Sequence, residues 1–152
     1  MSAFKKFLYG VYKLPWVVTR PVTVGVRLLL IKDEQVLLVK HTYQNGWYFP
    51  GGGVKRYETL EQAARREARE EIGGELGMLE LFGIYTLFSE SKSDHIVVFK
   101  CTDFTFTDKT DFEIEQSCIF PIDSLPADLA PGHERRIHEY LEGQNSPKYG
   151  NW

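Results

Sequence analysis

Cysteine is scarce in this chain: Cys101 and Cys118 are the only two in 152 residues. Two thiols in no metal-ligand spacing argue against a disulfide framework or a cysteine metal site, and suit buried thiols in a reducing, cytoplasmic compartment. Positive charge is not in excess either. A net charge of −3 leaves no case for a basic face that wraps nucleic acid, so no such partner is expected. Apolar runs are too short for a membrane span or a signal peptide. No repeat, low-complexity tract or Pro/Gly/Ser linker divides the sequence, and its length fits one domain able to bury a core.

The pattern of residues gives the organisation. Residues 1–20 form a leader with Phe4, Phe7, Leu8, Val11 and Tyr12 near helical spacing and Lys5, Lys6 and Lys13 between them. A basic amphipathic segment of this kind suits a membrane surface or a partner, and equally a short leader packed on the domain and ended by Pro15, the reading preferred. The main domain is expected over 21–143, with a polar tail at 144–152 that frays. Val22–Ile31 and Gln35–Lys40 read as strands joined by a polar turn. Leu79–Phe88, His95–Phe104 and Ser117–Ile122 are further strands. Helices are expected at Thr59–Ile72, stopped by Gly73-Gly74, and at His133–Leu141 after Pro131-Gly132. Strands interleaved with two helices predict an α/β fold with a mixed sheet.

The first helix carries the chemistry. Advancing about 100° per residue, Leu60, Ala63, Ala64, Ala68 and Ile72 share a core-facing sector, with Gln62, Arg65 and Arg69 opposite. Glu67 and Glu71 fall inside the apolar sector, and Glu70 lies at its margin. Carboxylates withdrawn from water are strongly disfavoured and repel one another. Salt bridges to Arg65, Arg66 and Arg69 are the bland explanation, but the outward arginines cannot satisfy all of the acids. The acids also sit in the C-terminal half of the helix, against its dipole. A divalent cation removes both objections, and hard oxygen ligands suit Mg²⁺ or Mn²⁺. Upstream, Gly51-Gly52-Gly53 lets backbone approach a bound group. Three glycines alone are a weak signal; ahead of this helix they are a strong one.

From Gly52 the chain reads five residues, Glu58, seven residues, then Arg66-Glu67-Ala68-Arg69-Glu70-Glu71-Ile72-Gly73. This resembles the Nudix box, GX5EX7REUXEEXGU with U a bulky apolar residue, and flanking features extend the resemblance over most of Val22–Leu141. Ala68 is smaller than the usual U residue, and Gly74 stands where an aliphatic is preferred. The resemblance implies an α/β/α sandwich and hydrolysis of a nucleoside diphosphate linked to another group. It implies that Glu67, Glu70 and Glu71 bind metal with the Gly51 carbonyl, while Glu58 and Arg66 pair to fix the loop on the helix. A later acid is often supplied; the stretch Asp111–Glu115 looks similar, with Glu113 first and Glu115 in reserve. Glu67 is the first choice for the base that takes a proton from water.

Substrate is less legible. Relatives that split ADP-ribose or NADH usually carry proline signatures downstream of the box, and no proline lies between Pro50 and Pro121. The dinucleoside polyphosphate group tends to show a tyrosine further downstream than Tyr85. A nucleoside triphosphate or related nucleotide is therefore the expected small-molecule partner, with dinucleoside polyphosphates and nucleotide sugars as alternatives. Tyr43, Trp47, Tyr48 and Phe49 border the glycine loop, where they suit base stacking or core packing. Arg27, Lys40, Gly52 and Gly53 are candidates for phosphate contacts. A regulatory module that binds without hydrolysing would have lost box glutamates, and none is lost. A homodimer is left open.

Overall fold

The computed structural model describes residues 22–89, 92–107 and 112–152. The expected leader therefore lies outside the described residues, as does Asp111. Among the described residues the strands are β1 (Val22–Lys32), β2 (Gln35–His41), β3 (Glu80–Ser89), β4 (Lys92–Cys101), β5 (Ile114–Pro121) and β6 (Lys148–Asn151). The helices are α1 (Leu60–Ile72) and α2 (Pro131–Leu141). One six-stranded sheet runs β5-β2-β1-β4-β3-β6. β1 pairs parallel with β4, and β3 parallel with β6; the other pairings are antiparallel.

β1 is apolar on both faces because both are covered, as central parallel strands require. Leu28 and Leu30 pack with Ala63, Ala64, Ala68 and Ile72 of α1. Leu29 and Ile31 pack with Leu129 and Ile137 on the α2 side. The result is the α/β/α sandwich. The three alanines of α1 are fully buried, so the small Ala68 suits a helix lying close on the sheet. Thr59 caps α1 through a reciprocal box: its hydroxyl accepts from the Gln62 amide and its own amide donates to the Gln62 side chain.

β1 and β2 pair only near their turn, at Ile31–Val36 and Lys32–Gln35. Beyond that they splay, and residues 48–53 fill the gap. Val26 and Leu28 donate backbone hydrogen bonds to the Gly52 and Pro50 carbonyls, while Val39 and Tyr48 exchange a pair. The glycine loop is thus laced into the sheet between the two strands. At Gly51, φ is +138° and a Cβ would collide with the Val26 carbonyl, so only glycine fits there without strain.

Several expectations need correction. β4 begins at Lys92 and ends at Cys101 rather than running to Phe104; the chain beyond it turns away to bridge the segment after α1, with Leu76 opposite Phe104. β5 starts earlier, at Ile114. Leu60, placed in the core-facing sector, is exposed, because it sits in the first turn beyond the sheet's cover. Residues 148–151 are not a fraying tail: they form β6, and the Trp152 amide donates to the Thr86 carbonyl. Polar composition hid this strand because it is an edge whose side chains are exposed. No helix among the described residues is long and apolar enough to cross a membrane.

Candidate active site

The helical phase of α1 decides where its acids lie. Glu67 and Glu71 are buried, at 8% and 5% exposure, whereas Glu70 is exposed. Gly51 donates its amide hydrogen to Glu71 Oε2 at 2.7 Å. Burial pushes the Glu71 carboxyl up to about 8; the nearby charges of Glu67 and Glu113 add to this, and the Gly51 hydrogen bond and Arg27 oppose it. Glu67 is also raised, chiefly by burial, with Arg66 opposing. The fold therefore holds two carboxyl groups where negative charge is disfavoured in the absence of a counter-charge.

Arg66 supplies part of that counter-charge. Its Nε and Nη2 clasp Glu58 at 2.7 and 2.9 Å, and its Nη1 donates to Glu67 Oε1 at 2.6 Å and Glu70 Oε2 at 3.0 Å. Nη2 also reaches the Gly53 carbonyl. One guanidinium so joins the loop to the helix and serves three acids. Arg65 and Arg69 are engaged elsewhere, with Glu61 and Glu75. Arg66 thus reaches more of the box than the wheel suggested, but Glu71 stands outside its reach. Its neighbours are the Gly51 amide and His41, whose Nδ1 lies 3.9 Å from Glu71 Oε1.

The other candidates divide. Arg27, half-buried, donates to its own strand at the Val26 carbonyl and acts electrostatically on Glu67 and Glu71, which places it beside the acids. Glu113 contributes charge at Glu71, and its carbonyl accepts from Thr42. Glu115 lies in β5 at a register shift opposite Lys40–His41, exposed. Lys40 is half-buried on β2, beside His41 in sequence and on the other face. Gly52 and Gly53 line the loop as described. Trp47 and Phe49 are core residues instead of stacking platforms: both pack on the α2 side, Trp47 edge-on to Phe120. Tyr48 is half-buried, its hydroxyl bound to the Asn45 carbonyl.

Two histidines escaped the sequence reading. His41 closes the apolar run of β2 and is buried between Tyr43 and Tyr48. His133, in the first turn of α2, accepts a hydrogen bond from the Phe49 amide at 3.1 Å and so holds the glycine loop from the far side. Burial lowers both, His41 to about 4, and keeps them neutral at pH 7. Their sequence signal was slight, a polar residue ending an apolar strand and one opening a helix.

Among the described residues no three His, Cys, Asp or Glu side chains converge into a ready cage. The donor chemistry nevertheless fits a hard cation. Buried carboxylates with unfavourable charge lie beside a backbone loop, and Mg²⁺ commonly uses one or two protein carboxylates and completes its shell with water and substrate phosphates.

Comparison with known proteins places this geometry. An ADP-ribose pyrophosphatase of Methanocaldococcus jannaschii is 29% identical over 127 residues, covering 80% of this chain and 75% of that protein. An RNA pyrophosphohydrolase of a Marinomonas species is 40% identical over 60 residues, which span 40% of this chain and 37% of that one. A MutT Nudix hydrolase of Burkholderia pseudomallei shares the fold, with a TM-score of 0.72 at 22% identity over 83% of this chain and 99% of that one. The NUDIX domain family matches residues 19–140. The chain belongs to the Nudix family and is a pyrophosphohydrolase, acting on acid anhydrides.

Proposed function

We propose that the chain is a divalent-metal-dependent hydrolase that cleaves the pyrophosphate bond of a nucleoside diphosphate linked to another group. The observation that carries this reading is the burial of Glu67 and Glu71 beside the Gly51 amide. Glu67, Glu70 and Glu71 would hold Mg²⁺ or Mn²⁺, with Gly51 and Glu113 assisting. A bound ion of this kind neutralises phosphate charge and acidifies the attacking water. Glu67 accepts the proton of that water: Arg66 holds its Oε1, its carboxyl lies against Gly52 of the loop, and burial raises its affinity for protons, as a base requires. Arg66 and Glu58 keep the loop on the helix, and Arg27 supplies positive charge for phosphate.

A nucleoside triphosphate is the first substrate class for this chain. A specific observation favours ADP-ribose as the second: the relative covering 80% of the chain bears that name, although the proline signature expected of that group is missing. Both contain the same anhydride bond. Replacing Glu70 and Glu71 together with Gln should lower Mg²⁺-dependent turnover by at least about a hundredfold with an unchanged circular dichroism spectrum. Turnover that survives in a folded double variant removes the site. A panel of nucleoside triphosphates, ADP-ribose, dinucleoside polyphosphates and 5′-triphosphorylated RNA, with phosphate and pyrophosphate release followed separately, sorts the substrates.

A further inference from the structure

We propose that His41 Nδ1 is a nitrogen ligand of the cation held at Glu71, and that this site takes Mn²⁺ in preference to Mg²⁺. The inference rests on the reading of the box carboxylates given above. His41 ends β2 and is 5% exposed, its ring stacked on Tyr43 at 5.0 Å and flanked by Tyr48 at 5.6 Å. The Glu113 backbone lies near the ring and favours a proton on it. Nδ1 is buried and has no hydrogen-bond partner. With the hydrogen on Nε2, the tautomer that a ligand at this position requires, Nδ1 keeps its lone pair.

That lone pair is buried and faces Glu71 Oε1 at 3.9 Å. The other carboxylate oxygen, Oε2, is occupied by the Gly51 amide. Once Glu71 is ionised, two acceptors confront each other there, and neither can satisfy the other. A cation between them resolves both. With metal–nitrogen and metal–oxygen bonds of about 2.0–2.2 Å, adjacent ligands of one ion lie roughly 3.0–3.5 Å apart, so the two groups need close by only about half an ångström to share an ion.

The surroundings of the ring point the same way. Histidines that ligate metals commonly donate their other N–H to a carbonyl or carboxylate, which fixes the tautomer and the ring plane. The Glu113 backbone is the candidate acceptor beside His41, and its carbonyl is fixed by the Thr42 amide at 2.9 Å. Imidazole is a poor ligand for Mg²⁺ and a good one for first-row transition ions. A histidine in the shell therefore shifts the preference of an otherwise all-oxygen site.

The test uses the full chain, labelled with ¹⁵N-histidine, and Mn²⁺ alone. Electron spin-echo modulation should show a directly bound histidine nitrogen, absent in His41→Gln. That variant should bind Mn²⁺ about tenfold more weakly while its Mg²⁺ affinity changes little. Mn²⁺ bound without nitrogen coupling in the unaltered chain, yet released by Glu71→Gln, overturns the role of His41 and leaves the carboxylate site standing. Mn²⁺ binding that is unaffected by Glu71→Gln overturns both. Should His41→Gln fail to fold, the spectrum of the unaltered chain still decides.

Discussion

Glu58 illustrates how a single side chain can fix a loop. Hydrogen bonds from Arg66 and then from the Lys55 amide hold its carboxyl down at about 2, against an ordinary value of 4.5. A carboxylate whose affinity for protons falls on folding stabilises the fold at pH above its ordinary value, and that contribution fades as pH drops toward the folded value. The Glu58 clasp is therefore intact at neutral pH and weakens between 4.5 and about 2. Glu58→Gln should melt a few degrees below the unaltered chain at pH 7, with the gap closing as pH approaches 2. A gap that stays constant across that range would mean the charge on Glu58 does not matter. The resemblance to the family's box implies Arg66 as its partner. That the same guanidinium also holds Glu70 follows from their i,i+4 spacing on the helix, whereas its bond to the Gly53 carbonyl depends on the loop's path, which spacing does not reveal.

At the level of elements, α1 was the most legible part of the sequence. Its period put Glu67 and Glu71 among the alanines, and both are buried there. The period failed at Leu60, where the helix extends past the sheet, because a wheel carries no information about where its neighbours end. Trp47 and Phe49 show the converse limit. Aromatics beside a glycine loop suit stacking or packing equally; the insertion of residues 48–53 between β1 and β2 sends Phe49 inward, and backbone bonds to Asp128 and Ala130 fix Trp47 on the α2 side. His41 and Glu71 stand 30 positions apart, and nothing local to either announces the other. Gly74 is a departure from the family pattern that the fold explains. A Cβ at this position would overlap the Thr105 carbonyl, where residues 75–77 run against 103–105. Gly74→Ala should destabilise the chain by about 1–3 kcal/mol, seen as a lower urea midpoint at unchanged slope. An unchanged midpoint would show that the two segments can separate without loss.

Across the whole molecule, the last strand ties the sheet edge to the glycine loop. β6 pairs with β3, and the Trp152 ring then lies against Gly132, edge-on to His133 at 4.8 Å and near Tyr85 at 6.0 Å. His133 in turn accepts from the Phe49 amide, two residues before Gly51. Arg136, also buried, stacks on Tyr85 at 3.7 Å and donates to the Asn151 carbonyl, which holds the strand from beneath. A contiguous path of packed rings therefore runs from Trp152 to the loop that touches Glu71. Trp152→Ala removes a half-buried ring and should cost about 2 kcal/mol, less than a fully buried aromatic because part of its surface already meets water. It should also lower kcat/KM at temperatures where the variant is fully folded, since His133 loses the ring that fixes its orientation. Trp152→Phe, which keeps an aromatic edge, should restore most of both. A folded Trp152→Ala with unaltered kcat/KM would confine this residue to stability and leave His133 to hold the loop by itself.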